Sequence, residues 1–217
     1  MKSLLIPIAV AFALAGAPAE ASPPPAHGHA VAAAPAATPK APKLQADLRA
    51  LWHGHVVQTR AYALAVHANK PTAASQAAAG VVANAKALSA AVASFYGPAA
   101  GTRMLELLAG HWGGVKALTD AQRKADTAGV QQATAGLVAN AGQIATFLAG
   151  ANPHLPEDAV RGLLVAHGAH HAAQVQQLMA GDTAGEAKTW KAMQAHMDVI
   201  ADALAGAIAR QFPAKVG

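Results

Sequence analysis

The 217-residue chain contains no cysteine. That excludes a disulfide framework, thiolate metal storage and a cysteine nucleophile. Glutamate is almost as scarce, at positions 20, 106, 157 and 186 only. A di-iron carboxylate centre needs inward Glu and Glu-x-x-His pairs. No Glu-x-x-His occurs, and Glu106 precedes His111 by five residues, on another helical face. Charged residues make up 12% of the chain and aromatics 4%. A nucleic-acid surface wants a basic stripe with interleaved aromatics, and here Lys and Arg are scattered. The formal net charge of +5 therefore reflects missing acid rather than a basic patch. There is no HExxH, no phosphate-cradling glycine loop and no serine with an evident base, so no catalytic group is assigned.

The chain ends are distinct in composition. Lys2, the apolar stretch Leu4 to Ala15 and the small-x-small site Ala19-Glu20-Ala21 read as a secretory signal peptide over residues 1–21. The expected location is periplasmic or secreted. The apolar stretch is too short to span a bilayer, and the lack of a following Cys argues against a lipid anchor. No membrane span is expected after cleavage. Residues 22–43 hold Pro23, Pro24, Pro25, Pro35, Pro39 and Pro42 among alanines, the composition of an extended linker. His27 and His29 in this segment offer only two ligands, a poor metal site.

From residue 44 the apolar period is helical: Leu44, Leu48, Leu51, His55, Thr59, Tyr62 and Val66 step by three or four. Breakers at Lys70-Pro71-Thr72, Tyr96-Gly97-Pro98, Ala125-Asp126-Thr127, Asn152 to Pro156, Gly181-Asp182-Thr183 and Phe212-Pro213 divide the remainder into six helices. Thr72 is a candidate N-cap. The expected fold is all-α, an up-down antiparallel six-helix bundle over residues 44–213. It divides into three αα-hairpins at about 44–98, 99–154 and 155–213.

The hairpins look alike. His55, His111 and His167 fall 56 residues apart, and Asn84, Asn140 and His196 keep the same step. Leu51-Trp52-x-x-His55 answers to Leu107-Leu108-x-x-His111 and Leu163-Leu164-x-x-His167. A fixed internal period of this kind marks a repeat architecture. Successive members of the six polar positions are centred on the turns, so an antiparallel array places them in one layer, about 20 Å from either end. Gly54, Gly110 and Gly168 sit beside this layer, for close helix approach or for room.

Buried imidazoles and amides must be satisfied, since an unpaired one costs about 1–3 kcal/mol. One reading is a metal or haem-like ligand held by interior histidines. Neutral imidazole suits Zn, Cu and Ni. The third hairpin gathers His167, His171 and His196, with His171 standing where the others have Thr59 and Val115; His55 and His111 complete the candidate ligands. The other reading is a structural or interaction module whose His and Asn layer only sets helix register. The expected partner is a metal ion or small ligand, not nucleic acid. His53 is expected on the solvated side, His67 at a helix end, His154 in a loop, and Met193 and Met197 in the core.

Leu51-Trp52-x-x-His55-Val56-x-x-Thr59-Arg60, Ala139-Asn140-Ala141-x-x-Ile144-Ala145-x-Phe147-Leu148 and Ala201-Asp202-x-Leu204-x-x-x-Ile208-x-Arg210-Gln211-Phe212-Pro213 resemble segments of an uncharacterised family of small exported or membrane-associated helical proteins of bacteria. The resemblance spans roughly Leu48 to Pro213. It implies a helical fold and carries no activity.

Overall fold

The computed structural model describes residues 40–216, and among these it is all-α. The signal-peptide expectation and most of the linker, including His27 and His29, lie outside the described residues. Six long helices follow one another: α1 Pro42–His67, α2 Pro71–Tyr96, α3 Pro98–Arg123, α4 Thr127–Ala151, α5 Glu157–Ala180 and α6 Thr183–Gln211. A single-turn helix, α7 Pro213–Val216, follows where the sequence reading has only a stop. Helix α1 also begins two residues before the expected boundary. Pro42 occupies its first turn, where a missing N–H costs nothing and the fixed φ suits a helix.

Prolines start α1, α2 and α3 in this way, whereas Asp126 and Asp182 cap α4 and α6. Each Asp accepts a bond from a backbone N–H three residues on, Gly129 and Gly185, both at 2.9 Å. Thr72 is not the N-cap of α2: that position is Lys70, and Pro71 opens the helix.

Three of the turns close identically. Asn69, Ala125 and Gly181 have positive φ, at 54°, 54° and 73°. Their N–H groups bond to the oxygens of Val66, Gln122 and Leu178, each at 3.1 Å. The next N–H in each, from Lys70, Asp126 and Asp182, reaches back to Ala65, Ala121 and Gln177, each at 2.9 Å. This is the Schellman closure, which satisfies the last free carbonyls of a helix.

Each long helix packs against its successor, and α6 packs back against α1. Helices α1, α3 and α5 also touch one another. The buried stripe on these three explains why. Leu48, Trp52, His55, Thr59 and Tyr62 on α1, Met104, Leu108, His111, Val115 and Leu118 on α3, and Val160, Leu164, His167, His171 and Gln174 on α5 are all buried at alternating steps of three and four. Met193 and Met197 of α6 are fully buried against Trp52 and Val56 in the largest apolar cluster. Helix α2 is long and apolar enough to cross a membrane, with a mean hydropathy of 1.3, but it packs here against α1 and α3 through Val81, Ala85 and Leu88.

The seam between α1 and α6 is ionic. Arg49 pairs bidentately with Asp202 at 2.6 and 2.8 Å, and Arg60 with Glu186 at 2.7 and 2.8 Å. His53 is not simply solvated, because its Nε2 stands 2.9 Å from an Asp198 oxygen across the same seam.

Candidate metal centre

Four histidines meet where α1, α3 and α5 touch: His55 of α1, His111 of α3, and His167 and His171 of α5. Their exposures are 4%, 7%, 1% and 1%. The first three come from the same position of the buried stripe on three mutually packed helices, so the packing brings them together. His171 is one turn further along α5. Residues four apart share one face of a helix, so the His167 and His171 rings meet. The Nε2 atoms of these two stand 3.1 Å apart.

The rings form a tetrahedron. Centroids of His55, His111 and His167 are 5.5, 5.4 and 5.3 Å apart, a nearly equilateral triangle. His171 caps it at 5.6, 5.6 and 4.4 Å. One ligand nitrogen from each ring lies within 4.8 Å of all the others. Four imidazoles on a tetrahedral ion with bonds of about 2.0–2.1 Å need nitrogens about 3.3 Å apart and centroids about 5.2 Å apart. Five of the six centroid spacings, at 5.3–5.6 Å, lie close to that value, and the His167–His171 spacing of 4.4 Å is shorter and would have to widen around an ion.

The donors also fit a cation. Nε2 of His55, Nε2 of His111 and Nδ1 of His167 are buried without a hydrogen-bond partner. Burial holds all four rings in the neutral, lone-pair-bearing form. It pushes His55 down to about 3 and His111 to about 4, and His167 and His171 well below the ordinary histidine range. Trp52 stands edge-on over the cluster, its centroid 6.2 Å from His55 and 6.5 Å from His167.

The other three polar positions do not join this group. Asn84 Nδ2 donates to the carbonyl of Leu51 at 2.9 Å, and Asn140 Nδ2 to that of Leu107 at 3.0 Å. His196 Nε2 stands 2.9 Å from the carbonyl of Leu163. Each acceptor lies four residues before the central histidine of its hairpin. The six positions therefore separate into a central histidine group and three clamps between outer and inner helices. The expected three-nitrogen set of His167, His171 and His196 does not assemble, because α6 presents His196 to the backbone of α5. Sequence spacing gave His196 the height of the others but could not give its direction.

The glycines follow the clamps. A Cβ on Gly54 would stand 2.9 Å from Asn84 Nδ2, and one on Gly110 would stand 3.1 Å from Asn140 Nδ2. These two glycines let the amides approach. Gly168 has open space beside it and serves no such contact.

No family model, curated protein or solved structure matches the chain.

Proposed function

We propose that the protein binds a transition-metal ion, in the first place Zn, through His55, His111, His167 and His171. The observation that carries this reading is the tetrahedral packing of four buried neutral imidazoles from three helices. Tetrahedral geometry favours Zn over Cu(II) or Ni(II), which prefer square or tetragonal surroundings. Four protein ligands leave no open position, the pattern of a closed site rather than a catalytic one. The ligand set holds no carboxylate, so a bound dication keeps its full charge in an apolar surround. That limits affinity and suits reversible carriage. Ring centroids 4.4–5.6 Å apart leave space for an ion between the rings but not for the plane of a haem-like ligand.

The scaffold we propose is an up-down six-helix bundle of three αα-hairpin repeats, with α1, α3 and α5 innermost. The recurring Schellman closures and clamps support it. We also propose export to the periplasm or beyond on the strength of residues 1–21, with no membrane span in the exported form. The register-setting role falls to Asn84, Asn140 and His196 and accompanies metal binding.

The test is titration of untagged protein with Co(II), followed by its visible bands, and then displacement by Zn. One ion per chain with a tetrahedral spectrum is expected, and His111→Ala should abolish it. A chain that retains the spectrum after His111→Ala, or takes up no ion, ends this reading.

A further inference from the structure

The four-histidine group has no evident way in along the helices. One turn before the rings stand Trp52, Leu108 and Leu164, and beyond them on the other side stand Val115, Leu118 and Tyr62, all buried. The sides differ from one another. At two inner seams an asparagine amide from the outer helix, Asn84 or Asn140, closes on the inner backbone. At the third seam the same position is His196, and a further imidazole, His170, lies beside it with centroids 5.4 Å apart. Both are only half-buried. His170 belongs to the same helix as His167 and His171 and immediately precedes His171.

The tautomer of His196 is set by its partner. A carbonyl oxygen only accepts, so Nε2 of His196 carries the proton given to Leu163. Its Nδ1 then holds the lone pair and is free to ligate. An asparagine in this place makes the same bond to the carbonyl but offers no imidazole nitrogen.

From this we infer that His170 and His196 form a two-nitrogen loading port, a half-exposed site that captures a transition-metal ion and passes it to the buried group through the third hairpin. The proposal rests on the metal reading of the four-histidine centre. Two ligands bind weakly, which is what a transfer station needs: an ion held loosely at the surface moves on to the four-ligand site. The third hairpin sets two neighbouring imidazoles, His170 and His196, on its half-exposed flank beside the interior His167 and His171.

The test uses variants borrowed from the chain itself. His196→Asn installs the residue of the other two hairpins and keeps the clamp. His170→Gln installs the residue of the first, Gln58. The double variant is mixed rapidly with Co(II), and loading is followed by the visible bands. Release is then driven by a chelator. A port predicts loading and release both slowed at least tenfold, with the Kd within threefold of the parent and an unchanged melting temperature. Unchanged loading overturns the port. So does a Kd weakened tenfold with loading unaltered, since that assigns the pair to the binding site itself. A parent chain that takes up neither Co(II) nor Zn fails differently, because it removes the four-histidine centre and the port together.

Discussion

Two kinds of polar residue that look equivalent in the chain are expected to behave oppositely when replaced. His55→Ala or His111→Ala removes one of the four proposed ligands and the orphaned nitrogen with it. Metal affinity should fall by at least a hundredfold, while the metal-free fold loses little beyond the ring's packing. Asn84→Ala or Asn140→Ala removes an inter-helix clamp. Stability should fall by about 1–2 kcal/mol with the metal stoichiometry unchanged. Denaturant titration and Co(II) uptake on the same four variants separate the roles. Loss of metal binding from the asparagine variants without unfolding would contradict the division. Gly54→Ala belongs with the second group, since its methyl would displace the Asn84 amide.

At the level of the elements, the three Schellman turns are a natural comparison. Gly181 and Asn69 tolerate the left-handed region, but Ala125 adopts φ of 54° with a Cβ. Ala125→Gly should therefore raise stability by about 0.5–1 kcal/mol, the relief of strain exceeding the added entropy of the unfolded chain. An equilibrium melt showing destabilisation would mean that the turn takes its shape from tertiary contacts alone. The α1–α6 seam is the other element-scale test. Glu186 is buried against Arg60 and also accepts from Gln174 Nε2 at 2.9 Å. Glu186→Ala removes the carboxylate partner of Gln174 and Arg60, leaving the guanidinium only the Trp190 ring, at the contact that joins the first long helix to the last. Amide exchange should rise first in α1 and α6, ahead of α3 and α4.

For the whole molecule the prediction concerns pH. The four histidines have folded-state values below their unfolded value of about 6.5, because burial disfavours the charged ring. The unfolded chain therefore binds more protons as pH falls, and stability is progressively lost below about 6.5, continuing toward the value of about 4 held by His111 and about 3 by His55. The metal-free protein should show this acid sensitivity as a falling melting temperature. Added Zn should raise the melting temperature at neutral pH, by about 2.7 kcal/mol of stability at a free concentration 100 times the Kd. Protons compete for the same nitrogens, so that gain should vanish near pH 5. A Zn-dependent gain that persists unchanged at pH 5 would place the ion elsewhere.

The helices, their turns and the inward stripe were legible along the chain because each depends on local chemistry. Prolines and aspartates mark the starts, and the three-four spacing of Leu48, Trp52, His55 and Thr59 marks the buried face. The 56-residue step also identified His55, His111 and His167 as equivalent, and the offset of four marked His171. Spacing along a helix gives height and face. It does not say which helices are inner and which outer, because an outer helix also has a buried face. That choice came only with tertiary packing, in which α1, α3 and α5 touch one another. It places His171 in the cluster and turns His196 onto the Leu163 carbonyl, two residues that spacing within the third hairpin does not tell apart.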